Sequence, residues 1–244
     1  MNNIIFSFLV TSIAGLSTLI GMLPIFIHFK NTNKLISISL AFAAGVMASV
    51  SLFSLLPESY ELIHIVFKQK PAIILILLFI LIGVFVASII DRLFKKIDNK
   101  LYKIGIISAI ALMIHNIPEG ILTFSTTSTN ITLGLTLALS IMCHNIPEGI
   151  SISVPIYYST KSKKKAFFYT AISGFSEILG ALITYLFLSE YINNNFIGIM
   201  LSLTTGIMIY ISIFELLPNS LAYKDKKSTI FSFLIGFIFM ILFK

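Results

Sequence analysis

Long runs of apolar residues, separated only by short polar connectors, dominate this chain. A helix needs ~20 consecutive apolar residues to cross the ~30 Å hydrocarbon layer of a bilayer. The sequence meets or approaches that length at 4–27, 35–57, 71–90, 104–125, 131–157, 166–188, 196–217 and 229–243, the last being short. Backbone polar groups in lipid must be satisfied within the segment, so such runs fold as helices. The expected fold is therefore all-α and integral to the membrane, with eight transmembrane helices in one polytopic domain over 1–244. The connectors are too brief for a soluble domain: 126–130 reads Thr-Thr-Ser-Thr-Asn and 161–165 reads Lys-Ser-Lys-Lys-Lys.

Charge enters the argument through its placement. Only 11% of residues are charged, against about a quarter in soluble domains. A net charge of +7 does not imply nucleic acid, because no basic patch alternates with aromatic residues. The charges sit between the apolar runs instead. With eight spans both termini share a face. The opposite face holds Lys30, Lys34, the Arg92–Lys103 cluster, Lys161–Lys165 and Lys224–Lys227, which is 14 of the 17 basic residues. Cytoplasmic loops keep positive charge, so the expected location is the cell membrane with both termini extracytoplasmic. The first run starts at Ile4 with no cationic segment ahead of it, and reads as a retained helix rather than a signal peptide. One cysteine, Cys143, excludes an internal disulfide and any CxxC motif.

The chain also repeats itself. Residues 45–59 (GVMASVSLFSLLPES) and 206–220 (GIMIYISIFELLPNS) agree at eight of fifteen positions without gaps, and HNIPEG occurs at 115–120 and at 144–149. Spans two and seven run in opposite directions, as do spans four and five. Similar sequence in opposite orientation implies inverted repeats in a 3+2+3 arrangement, with a site near the midplane at the repeat interface.

Polar groups are costly in lipid and need a reason. His115, Asn116 and Glu119 fall near the middle of span four, His144, Asn145 and Glu148 near the middle of span five, and Glu177 near the middle of span six. At ~100° per residue, each His-Asn-x-x-Glu set shares an arc of ~100° on one helix face. Each motif thus presents one nitrogen and two oxygen donors, a set suited to zinc, iron, cobalt or manganese. Pro118 and Pro147 release the carbonyls of Ile114 and Cys143 and kink their helices, while Gly120 and Gly149 allow close helix approach. Ser173, Gly174, Ser176 and Gly180 make the sixth helix equally thin around Glu177.

One buried His–Glu pair is commonly structural, but two copies at matched depth with Glu177 favour a metal or proton pathway. Cys143 is expected to be a small buried residue pointing away from His144. Met47 and Met208, at matched repeat positions, are expected to pack. Glu58 and Glu215 are candidates for an acidic mouth at each end of the path.

HNIPEG at 115–120, HNIPEGISISVPIY at 144–157 and SGFSEILGA at 173–181 resemble the ZIP (Zrt-, Irt-like) metal transporters, particularly their bacterial broad-range branch. The resemblance covers nearly the whole chain, including the Leu-Leu-Pro ends of spans two and seven. It implies uptake of divalent zinc, iron, manganese or cobalt into the cytoplasm. It also implies metal-ligand roles for His115, Asn116, Glu119, His144, Asn145, Glu148 and Glu177. Many members carry a histidine-rich loop between spans three and four, whereas 91–103 has no histidine. Some bacterial members have Asp where Asn145 stands, which leaves one bound ion or two open. The expected partners are the divalent ion and the lipid bilayer, with no nucleic acid and no prosthetic cofactor; monomer and homodimer stay open. A metal-dependent membrane enzyme is the first rival, but HExxH is absent and four histidines are too few for a histidine-box desaturase. A membrane metal sensor is the second, and no soluble output domain speaks for it.

Overall fold

The computed structural model describes residues 2–188, 192–223 and 225–242, and among these the chain is helical with no strand. The first rod is α1 (Asn2–Leu16), continued by a 3-10 helix over Ser17–Phe26 that contains Pro24. The second is α2 (Thr32–Val50), a π-helical turn at Ser51–Leu55, and α3 (Leu56–His64). Four rods follow: α4 (Gln69–Leu93), α5 (Lys100–Thr129), α6 (Ile131–Thr160) and α7 (Lys163–Ile183), the last closing in a π-helical turn at Thr184–Leu188. The seventh rod is α8 (Asn194–Tyr210), a π-helical turn at Ile211–Leu216, and α9 (Leu217–Leu221), and the eighth is α10 (Lys226–Leu242).

Among the described residues six rods are long and apolar enough to cross a membrane. The other two are α6, whose 30 residues include the second polar motif, and α10, whose 17 residues are the short span expected near the C-terminus. Most helices overrun their apolar runs because polar residues cap them. The side chains of Asn31, Asn99, Asn130, Ser162 and Asn193 each accept a bond from the backbone N–H three residues on, satisfying a donor the helix start leaves free. Pro57 and Pro218 sit in the first turn of α3 and α9, where a missing N–H costs little. Span two therefore runs on to His64 instead of stopping near 57. Position 243, the expected end of span eight, lies outside the described residues.

Glycines show how the rods are joined. Gly45 of α2 lies so close to the carbonyl of Phe233 in α10 that a Cβ would collide with it, and Gly206 of α8 meets the carbonyl of Ile80 in α4 in the same way. Gly236 of α10 meets Phe42 of α2 as Gly83 of α4 meets Leu203 of α8. In the other bundle, Gly120 of α5 meets Glu177 of α7 as Gly149 of α6 meets Thr18. Gly180 of α7 meets Ile117 of α5 as Gly21 meets Ile146 of α6, and Gly15 and Gly174 abut each other's carbonyls. Every contact has a partner at the repeat-equivalent position, as an inverted 3+2+3 repeat demands. One bundle, α1/α5/α6/α7, carries the polar motifs; the other, α2/α4/α8/α10, is joined by the same backbone-to-glycine contacts.

Candidate metal centre

The two HNIPEG motifs lie at the midpoints of α5 and α6, which pack against each other, and Glu177 lies on α7 behind them. His115, Asn116, Glu119, His144, Asn145, Glu148 and Glu177 are all buried. Spacing of four and three residues puts each motif on one helix face, and the packing turns the two faces together. His144 Nε2 hydrogen-bonds Glu119 Oε1 at 2.9 Å. His115 Nε2 lies 3.1 Å from Glu148 Oε1 and 3.4 Å from Glu119 Oε1. Each histidine therefore reaches the glutamate of the other motif. His115, His144 and Glu148 each offer a ligand atom within 4.8 Å of the other two, a spacing one cation could bridge.

The asparagines are fixed differently. Asn116 Nδ2 donates to the carbonyl of Ser173 at 3.1 Å. Asn145 Nδ2 donates to the carbonyl of Ala14 at 2.9 Å and to Glu177 Oε1 at 2.5 Å. Ser173 and Ala14 are repeat equivalents, so both amides are anchored by the same device. Because a carbonyl can only accept, the bonds dictate which amide atom is nitrogen. Both amide oxygens are left facing the interior.

Those oxygens have no hydrogen-bond partner, nor do His115 Nδ1, Glu119 Oε2, Glu148 Oε2 and Glu177 Oε2. Buried acceptors are nearly always hydrogen-bonded, and one left unmade costs on the order of 1–3 kcal/mol. So many converging acceptors make this cluster a candidate cation site. Nitrogen and oxygen donors without thiolate select a borderline or hard divalent ion.

A vestibule of about 770 Å³ lies at the end of the bundle that bears α3, its wall including Cys143 next to His144. Glu58, Glu61, Ser54, Thr136, Ser140 and Cys143 line it, and Glu58 stands within Coulombic reach of Glu119. At the opposite end polar side chains tie the helices to one another. Lys103, at the start of α5, pairs with Asp91 near the end of α4, and the Tyr210 hydroxyl of α8 donates to Asp91 Oδ2 at 3.4 Å. Glu215, buried in the π-helical turn after α8, faces Asp91.

Residues 98–244, including both motifs and Glu177, match the sequence model of the family described as ZIP zinc transporter. The chain belongs to the ZIP family. It is similar along nearly its whole length to proteins called Zinc transporter ZupT. That of Streptococcus mutans is 39% identical, covering 96% of this chain and 94% of the relative. Those of Chlorobium chlorochromatii and Clostridium perfringens are each 36% identical over 98% of this chain, covering 96% and 95% of the relatives. Membership makes the chain a multi-pass membrane transporter and not an enzyme.

As a ZIP protein the chain departs from its sequence reading at Cys143, which is partly exposed in the vestibule wall instead of buried. Met47 and Met208 are packed in the core as expected. Of the vestibule's polar residues the sequence reading named Glu58; Thr136 and Ser140 were missed, although their spacing carries the signal, since Thr136, Ser140 and His144 recur every fourth residue along α6. Thr123, buried and without a partner, likewise falls one turn beyond Glu119 on α5.

Proposed function

We propose that this ZIP protein mediates uptake of divalent transition-metal ions into the cytoplasm, zinc first and also iron, manganese or cobalt, through the mid-membrane His/Asn/Glu centre. The observation that supports it is the convergence of His115, His144 and Glu148 within ligand-bridging distance, with Glu119 bonded to His144 and its second carboxylate oxygen left without a hydrogen bond. These four are the proposed primary ligands. Asn116, Asn145 and Glu177 complete the polar wall through their free oxygens. Asn145 donates one amide hydrogen to Glu177, where an acidic residue would repel it, and this supports a single bound ion with Glu177 held at its edge.

The ion enters from the vestibule, past Glu58 and Glu61, and sheds water onto the two motifs. The pairing of Lys103 with Asp91 closes the far end at that stage. With the basic face cytoplasmic and both termini outside, a divalent cation moving inward gains about 4.6 kcal/mol per 100 mV, twice the value for a single charge. No nucleotide-binding motif is present in the sequence, so this potential and the ion's own gradient supply the driving force. Ligand histidines must be neutral and glutamates ionised, so uptake falls as the outer solution is acidified.

The test is radioactive zinc uptake into proteoliposomes, with wild type beside Glu119→Ala and Glu148→Ala. Saturable uptake lost in both variants is expected. Folded wild type that carries none of zinc, iron, manganese or cobalt would overturn the reading.

A further inference from the structure

A second recess lies at the basic end of the molecule, between the end of the first rod, the start of α2 and the connector from α6 to α7. It measures about 320 Å³ and is lined by His28, Thr32, Tyr157, Tyr158, Lys161 and Lys163, among others. Two features mark it as built. Lys161 has φ 57°, a left-handed conformation that side chains other than glycine and asparagine seldom adopt, and it ends α6 by donating its N–H to the Tyr157 carbonyl. That turn aims its ammonium over the Tyr158 ring at 5.0 Å, while Lys163 Nζ lies 4.4 Å over the ring of Phe26. Aromatic faces hold both cations without neutralising them.

The charge of Lys161 and Lys163 is unmatched. Residues 26–34 and 157–165 contain Lys30, Lys34 and four further lysines but no Asp or Glu. Among the described residues the lysine ion pairs are those of Lys34 and Lys103, and neither Lys161 nor Lys163 has a carboxylate partner. Beside the recess the surface turns apolar: Leu23, Phe26 and Ile27 are exposed. Cationic donors above, aromatic rings at the rim and a greasy wall below match an anionic phospholipid, phosphate uppermost and acyl chain along the helix. Basic pockets between helices at a membrane surface take such headgroups. A free phosphate would use only the upper half of this arrangement.

We propose that this recess binds the phosphate of an anionic phospholipid, with Lys161 and Lys163 as its cationic contacts. The site shares no residue with the metal centre, so it stands or falls independently of the transport reading.

The test is native mass spectrometry of the purified chain with phosphatidylglycerol or phosphatidylcholine of identical acyl chains, supported by thermal unfolding with either lipid or with inorganic phosphate. Lys161→Asn with Lys163→Gln, the asparagine chosen to keep the left-handed turn, is compared with Lys164→Gln plus Lys165→Gln. Both pairs remove two charges from the same short stretch spanning the end of α6 and the first turn of α7. Wild type is expected to retain phosphatidylglycerol preferentially, the first pair to weaken it by about fivefold per lysine, and the second to stay near wild type. Equal losses in the two double variants would reduce the effect to diffuse charge and overturn the site. Stabilisation by inorganic phosphate as strong as by phosphatidylglycerol would overturn the lipid assignment.

Discussion

The α5/α7 pair and the pair formed by α6 with the first rod share one backbone frame and differ in one decisive side chain. In each, a motif glycine (Gly120 or Gly149) rests against a carbonyl of the partner rod, and a motif asparagine (Asn116 or Asn145) bonds another. The residue supplying the carbonyl is Glu177 in one half and Thr18 in the other. Thr18 turns its hydroxyl to its own helix, bonding the Gly15 carbonyl. Glu177 reaches across to Asn145. Symmetry thus fixes where the motifs meet, and the departure from it puts an extra carboxylate on one side only.

The strongest challenge to this comparison is at the two carboxylates it treats as equals. Glu119→Gln and Glu148→Gln should each lower zinc kcat/KM in proteoliposomes by roughly 100-fold or more, beyond the 10–100-fold seen when a supporting residue is removed. Full uptake by either variant would break the equivalence. Making the halves alike comes next: Glu177→Thr should weaken metal binding by roughly 10–100-fold while the protein stays folded, read by calorimetry on purified protein. Equal affinity would show that the asymmetry has no bearing on the metal.

The frame itself is tested by Gly120→Ala and Gly149→Ala. A Cβ at either site strikes a backbone carbonyl, and such overpacking costs about 1–3 kcal/mol. Thermal unfolding in detergent should show similar losses, but only Gly120→Ala, which pushes on Glu177, should also shift the metal KM. A KM change in both would blur the two halves into one.

The smallest effect concerns the other bundle, where α2/α10 and α8/α4 are likewise equivalent. Lys34 pairs with Asp225 at 3.1 Å across the start of α2 and α10; Asn195 and Ala72 stand at the matching places. Bonds from the Ser228 hydroxyl and backbone, with the Lys34 ammonium, hold the Asp225 carboxyl below its usual value. A depressed carboxylate contributes stability above its unfolded value of about 3.9 and loses it as pH falls through the lower folded value. Asp225→Asn should therefore be slightly less stable than wild type at neutral pH, with the difference vanishing in strong acid. A difference that persists there would assign it to the helix cap instead of the charge.

Much of this could be seen in the sequence because lipid makes the rules simple. Apolar length located the rods, and the cost of burying His115, Glu119, His144, Glu148 and Glu177 singled them out. Gly120 and Gly149, inside the motifs, were also read as points of close helix approach. The remainder depends on three-dimensional neighbours. Nothing local shows that His144 bonds the glutamate of the other motif, since that needs the register of α5 against α6. Cys143 was read as buried because it points away from His144, yet the vestibule reaches it. The π-helical turns were invisible because hydropathy does not register a single widened turn.

Those turns carry information about history. A π-helical turn holds one residue more than the α-helix around it, frequently at functional positions. Ser51–Leu55 and Ile211–Leu216 both lie inside the stretch where 45–59 and 206–220 align without a gap. Had the surplus residue arisen in one copy after the halves separated, the alignment would need a break there. A shared insertion at the same register dates to a single ancestral half, before duplication and fusion. What the two copies have since exchanged is side chains such as Thr18 and Glu177, upon an inherited irregular scaffold.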